Sequence, residues 1–343
     1  ASMRFDRVPG PSPSAGFLTF AGNTEAKERL SACIDGGRLP HALLFEGPAG
    51  SGRRTLARLT AMAAVCTGEG EKPCGVCPGC RKAAAGSHPD VLEAGGEGAA
   101  RSFHIDTVRA LREDAYILPN EAPRRVFLLA EAQNMTEQAQ NALLKILEEP
   151  PASALFLLTC ENRGQLLETI RSRVVTLSLS GVAEEESVTI LGALLPDTSP
   201  EDRRRAAVLS GGVVGQALRG LSDGVYQRVQ ELVPELAAAV AAPAELPLLR
   251  LTGRLEKDRE ALPGVLTGLT LVFRDALVLR SGGDGCLSIA PDAAAALSQA
   301  LSRERLLRLL ETAGELERIR RRNANHTLLL TLLTARLRQA AGR

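Results

Sequence analysis

The sequence predicts an α/β domain, with a parallel sheet covered by helices on both faces, then a small helical domain and an all-α C-terminal domain. Three observations predict it. Short apolar runs alternate with helical stretches in the first half of the chain, the pattern of strands buried on both faces. A glycine-rich segment, Gly47–Gly52, lies between the first such run and a helix. Beyond about Ser180 the chain turns Ala- and Leu-rich and keeps helical periods without a strand.

The elements follow in order. Ala42–Phe45, after Pro40, reads as a buried strand, and Arg54–Val65 as the helix behind the glycines. Val91-Leu92 reads as a short strand and Val108–Ala115 as a helix. Val126–Ala130, after Pro123, is a continuous apolar run and hence a buried strand. Glu137–Glu148 places Ala139, Ala142, Leu143, Ile146 and Leu147 at helical spacing, and Pro150-Pro151 ends it. Leu155–Thr159 and Val174–Leu179 complete the strands. Glu184–Leu195 and Pro200–Ser210 read as helices, the second stopped by Gly211-Gly212. Longer helices follow from about Ser222, with a loop at Ser281–Asp284. Leu306, Leu309, Leu310, Ala313 and Leu316 form one apolar stripe. The expected domains are 1–179, 180–222 and 223–343, with no internal repeat.

Composition excludes some functions. Aromatic residues make up 3% of the 343, with no Trp and two Tyr. A stacking platform for single-stranded nucleic acid needs exposed rings, so none is expected. The net charge of +1 gives no global field that would draw in a phosphate backbone. No membrane span is expected; the richest apolar stretch, Leu232–Leu249, carries Glu235, Glu245 and three prolines. No secretory signal opens the chain, Ala1-Ser2 ahead of Met3 read as an appended stretch, and a cytoplasmic location is expected.

Gly47-Pro-Ala-Gly50-Ser-Gly52-Arg53-Arg54 has the context and glycine spacing of a phosphate-binding loop, whose backbone amides cradle phosphates at a helix N-terminus. The two positions after Gly52 break the pattern. A working loop needs Lys for the β- and γ-phosphates and then Ser or Thr for Mg²⁺. Arg53 keeps the charge in a broader shape, and Arg54 removes the metal ligand. Thr55 comes one residue, or ~100° of helix, too late. Among ATPases of this type the apolar strand ends in Asp-Glu; here Val126–Ala130 is followed by Glu131, with Ala130 in place of the Asp. No catalytic Mg²⁺ and no useful hydrolysis are expected. Binding of ATP through Gly47, Gly50, Gly52 and Arg53 stays open.

Of seven cysteines, Cys66, Cys74, Cys77 and Cys80 crowd into 15 residues. Two overlapping C-x-x-C steps plus one earlier thiolate match a closed, structural Zn²⁺ site, with Gly75 and Gly79 permitting the turns. Cys160, at the end of an apolar strand, reads as a core residue.

These motifs converge. Leu39-Pro-His-Ala42, the altered phosphate loop, the four cysteines, His88-Pro-Asp90, Ile105-Asp106-x-Val108-Arg109, Asn141-Ala-Leu-Leu-Lys-Ile-Leu-Glu-Glu-Pro-Pro151, Arg171-Ser-Arg173 and Asn323-Ala-Asn325 span nearly the whole length. Together they resemble the delta-prime family of bacterial DNA polymerase III clamp-loader subunits, in the AAA+ superfamily. The resemblance implies an α/β P-loop AAA+ domain, a helical lid and a helical collar. It implies a ring-like pentamer with gamma/tau and delta subunits, serving a sliding clamp and primer–template DNA within the polymerase holoenzyme. It also implies that Ser172 and Arg173 belong to a motif that presents an arginine to a neighbour's nucleotide, although Val174 replaces the Cys of that motif. In Gly212-Val-Val-Gly215-Gln-Ala217, Gly215 stands where active gamma/tau subunits carry a phosphate-sensing Arg. The helix from Asn141 reads as core with a solvated end at Glu148-Glu149, and Asn325 and His326 read as structural. Two alternatives stay open: an active gamma/tau-type ATPase, and a zinc-ribbon nucleic-acid-binding module on an ATPase-like scaffold, for which Lys72, Arg81 and Lys82 are the cations near the cysteines.

Overall fold

A computed structural model describes residues 17, 20–95, 105–321 and 325–343. Ala1-Ser2-Met3 and Asn323 lie outside the described residues. The chain forms two compact units, residues 1–182 and 183–343.

In the first unit, helix α1 (Thr24–Asp35) leads to strand β1 (Ala42–Glu46), and α2 (Arg53–Ala64) follows the glycine-rich loop. Then come α3 (Pro78–Ala84), β2 (Val91–Gly95), α4 (Ile105–Ala115) and β3 (Arg125–Ala130). Helix α5 (Glu137–Glu148), β4 (Ala154–Cys160), the short α6 (Glu168–Arg171) and β5 (Val175–Ser178) complete it. The strands form one parallel sheet in the order β2-β3-β4-β1-β5. Strand alternation sorts the core into two layers. Leu43, Phe45, Val126, Leu128, Leu155 and Leu157 face α1 and α2. Leu44, Phe127, Leu129, Phe156 and Leu158 face α4 and α5, and there the Phe127 and Phe156 rings stack 5.4 Å apart. Strands β3 and β4 are buried along their whole length, as their unbroken apolar runs require. This is the α/β architecture that the sequence predicts, a parallel sheet with helices on both faces.

His88-Pro-Asp90 has a structural explanation. The Asp90 carboxylate, fully buried, accepts bonds from the amides of Asn120, Glu121 and Ala122 at 2.6, 2.8 and 2.9 Å, and from Asn120 Nδ2 at 3.1 Å. It pins the segment that feeds β3. Burial opposes its ionisation, but these donors outweigh burial and hold the carboxyl below the usual range.

The second unit is all helical: α7 (Glu184–Leu194), α8 (Pro200–Leu209), α9 (Val214–Ser222), α10 (Val225–Ala241), α11 (Leu246–Lys257), α12 (Ala261–Arg280), α13 (Pro291–Ala300), α14 (Arg303–Arg321) and α15 (His326–Ala340). One hydrophobic core runs from Leu191 to Ala341 and takes in the expected stripe Leu306, Leu309, Ala313 and Leu316. Asn325 Oδ1 caps α15 by accepting from the Leu328 amide at 3.2 Å, and His326 Nε2 meets Leu255 O at 3.0 Å.

The sequence pattern misplaces the most apolar segment. Among the described residues α12, and not Leu232–Leu249, is the helix long and apolar enough to cross a bilayer. It packs inside the helical core, and its fully buried Asp275 accepts from the Leu287 and Ser288 amides at 2.8 and 2.7 Å. The apolar character of α12 therefore reflects burial against other helices.

Candidate functional site

The loop between β1 and α2 keeps the shape of a phosphate cradle. Gly50 and Gly52 both take φ of 86°, a region that favours glycine. A Cβ on Gly52 would also lie 2.7 Å from the Phe20 ring. The Gly47 amide donates to Cys160 O at 3.1 Å, which ties the loop to the end of β4.

The two arginines that follow are engaged by the chain's own groups. Arg53, first residue of α2 and 5% exposed, donates from Nη1 to the Gly47 carbonyl and from Nη2 to Glu131 Oε2, both at 2.5 Å. Glu161 Oε1 lies 3.6 Å from the same Nη2. The group expected to offer charge to a phosphate is thus paired with the chain's own carboxylate. Arg54 and Arg58, one turn apart on α2, both pair with the buried Glu93 of β2; the Arg58 contacts are 3.0 and 3.1 Å. Thr55 is exposed.

Glu131 is held firmly. Its backbone is left-handed at φ 57°, its amide donates to Thr159 Oγ1 at 3.0 Å, and Gln133 Nε2 donates to the same Oε2 at 2.8 Å. A non-glycine residue holds such a conformation only where its surroundings fix it. Ala130 is fully buried and offers no metal ligand. Cys160 is buried core beside this cluster, and desolvation pushes its thiol up to about 12.

Arg171-Ser172-Arg173 occupies the end of α6. Arg173 Nη1 donates to Thr169 O at 2.9 Å and to Ser172 Oγ at 3.3 Å, and its Nη2 meets Glu148 Oε1 at 2.5 Å. Glu148 is therefore not simply a solvated helix end. Its one-third-exposed partner holds it, while the Leu143, Ile146 and Leu147 face of α5 packs in the core. Gly215 lies in the first turn of α9.

The four thiolates meet as their spacing requires. Their Sγ atoms lie within 4.8 Å of one another, with Cys66–Cys77 at 3.9 Å and Cys74–Cys80 at 4.0 Å. A tetrahedron with metal–sulfur bonds of about 2.3 Å has edges near 3.8 Å, so the set fits Zn²⁺. The amides of Cys74, Cys77 and Cys80 donate to Cys66, Cys74 and Cys77 Sγ respectively, each at 3.4 Å. Burial pushes the Cys66 and Cys80 thiols up. At Cys77 burial pulls the same way, but the Cys80 and Thr67 amides overcome it and bring the thiol down to about 5. Cys80 is carried by α3, and Cys66 follows the end of α2.

Sequence reasoning did not single out Glu93, and it read Glu148 only as part of a solvated helix end. A signal for Glu93 existed: Arg54 and Arg58 lie four residues apart on one face of a helix that packs on the sheet, and buried cations need an acid. Glu148 had no such signal, since nothing in the sequence places the end of α5 beside Arg173.

A family model described as DNA polymerase III, delta subunit, matches residues 22–183. The gamma/tau subunit of DNA polymerase III from Mycobacterium tuberculosis is 34% identical over 301 residues, covering 79% of this chain and 50% of the relative. The chain thus spans about half the length of the gamma/tau relatives it matches. The delta' subunit from Pseudomonas aeruginosa is 35% identical over 218 residues, covering 60% of this chain and 65% of the relative. The delta' subunit from Escherichia coli is 31% identical over 318 residues, covering 90% of this chain and 92% of the relative. A match over nine-tenths of the chain reaches both units, and on it the chain belongs to the delta' family of DNA polymerase III clamp-loader subunits.

Proposed function

We propose that this chain is a non-hydrolysing clamp-loader subunit, a fixed scaffold that lends Arg173 to the nucleotide of a neighbouring ATPase subunit. The observation that carries the first half is the Arg53–Glu131 pair. Hydrolysis needs a cation free for the β- and γ-phosphates and a carboxylate free to orient water. In this chain those two groups neutralise each other, and Arg54 and Ala130 offer Mg²⁺ no ligand.

The second half rests on Arg173. It is partly exposed and rigidly seated, as a group that completes another subunit's site should be. A trans arginine supports ~10³–10⁵ in rate by stabilising charge on the transferring phosphoryl group. In this reading Ser172 positions Arg173, residues 180–222 form a lid, and residues 223–343 form the collar that joins gamma/tau and delta subunits. The sliding clamp and primer–template DNA are reached through the assembly, and the protein works in the cytoplasm. Cys66, Cys74, Cys77 and Cys80 hold a structural Zn²⁺.

Steady-state ATPase assays test both halves. The purified chain alone should show no turnover above background. In the complex with its ATPase partners, Arg173→Ala should lower clamp- and DNA-stimulated turnover while the complex still assembles. Turnover by the isolated chain at ordinary ATPase rates would refute the first half, and full turnover with Arg173→Ala would refute the second.

A further inference from the structure

We infer that Glu148 is a positioning residue for Arg173: it holds the guanidinium in the orientation in which a neighbour's phosphate can receive it. The inference rests on the reading of Arg173 as a trans arginine and deepens it.

Glu148 is badly placed for its own helix. It is the last residue of α5 and Glu149 is the C-cap, so two acids sit at the negative end of a helix dipole, where cations are favoured. Nor does the pair with Arg173 contribute much to the fold, since the two side chains are 48% and 33% exposed and exposed ion pairs add little to stability. What the contact does supply is geometry. Arg173 has a long side chain with many rotamers, and a free arginine would have to be frozen on meeting a phosphate. Here Nη1 is fixed by Thr169 O and Ser172 Oγ on its own turn, which leaves rotation about that end. Glu148 grips Nη2 from a different helix and removes that freedom. Among the described residues these three contacts use only part of the five N–H donors of the guanidinium, so it can still face a phosphate.

Helix α5 is itself anchored where it must be. Its buried Gln140 accepts from the Leu167 amide at 2.9 Å, at the start of α6. Hence α5 touches both ends of the α6 turn, through Gln140 at one and Glu148 at the other.

The test is ATP turnover by the clamp loader reconstituted with the wild-type chain, Glu148→Ala, Glu148→Gln, Arg173→Ala, or Glu148→Ala with Arg173→Ala. Glu148→Ala should lower kcat ~10–100-fold, the scale of a small misplacement, with KM for ATP and assembly unchanged. Glu148→Gln keeps an acceptor oxygen and should recover most of the loss. With Arg173→Ala already present, Glu148→Ala should have no further effect. Wild-type turnover for Glu148→Ala beside an impaired Arg173→Ala would overturn this inference and leave the trans arginine standing, as would a Glu148→Ala loss that persists undiminished without Arg173. An unimpaired Arg173→Ala would instead remove the trans arginine itself.

Discussion

Arg53 and Glu131 lie 78 positions apart in the chain, yet their side chains meet at 2.5 Å with both nearly shut off from solvent. Neither could be buried alone. A buried charge without its partner retains its desolvation cost and loses the compensating attraction. Arg53→Ala should therefore lower unfolding free energy by about 3–5 kcal/mol, read from urea midpoints. Arg53→Met combined with Glu131→Gln should recover most of that loss, because no charge is then left buried. Equal losses in the single and double variants would mean that the pair does not carry the effect.

The acid limb of stability should report Asp90. Its folded carboxyl titrates below the usual value of about 3.9, so its contribution is complete above that pH and disappears as pH falls through the lower, folded value. Asp90→Asn keeps the shape but turns an acceptor into a donor that faces backbone amides. It should cost about 1–3 kcal/mol at pH 7. The gap from wild type should narrow as the solution is acidified below about pH 4. A gap independent of pH would rule out the charged form of Asp90 as the source.

The thiolate cluster predicts one zinc per chain by elemental analysis, released by a thiol-modifying mercurial and lost in Cys77→Ser. Stripping the metal should lower the melting temperature of the first unit, since Cys66 and Cys80 belong to the core that packs on α2. Metal-free protein that melts at the same temperature would show that the four sulfurs close the core without an ion.

Much of the fold was legible because its signals are local. The runs Val126–Ala130 and Leu155–Thr159 can be little other than buried strands, and Glu137–Glu148 matches α5 from end to end. Helix α1 gave less to read: Asn23 and Glu25 are residue types that open helices, but Asn23 sits at φ 50° and makes no side-chain cap bond. Cys77, by contrast, caps α3 through its own sulfur, a role hidden behind its service as a metal-ligand candidate. The site was legible as a list of groups but not as a set of pairings. Sequence alone marked Arg53, Arg54, Glu131 and Arg173, while the pairings depend on tertiary arrangement: the strand order β2-β3-β4-β1-β5 places β2 beside β3, and Glu93 of β2 meets Arg54 of α2.

The double anchoring of α2 bears on whether the loop could be rebuilt into a working one. Arg53, Arg54 and Arg58 each hold a carboxylate near one end of the helix, and Cys66 and Cys80 close over the other, with Cys80 Sγ 3.9 Å from Met62 O. Replacing Arg53 with Lys would leave Arg54 engaged and Ala130 unchanged, and replacing Arg54 with Thr would strip Glu93 of one of its two cations. Neither change alone restores the chemistry, and the second removes a partner from the buried Glu93. Such a helix resists conversion into a working phosphate loop: no single substitution supplies both missing metal contacts, and the first one made at Arg54 loosens an ion pair that seats the helix.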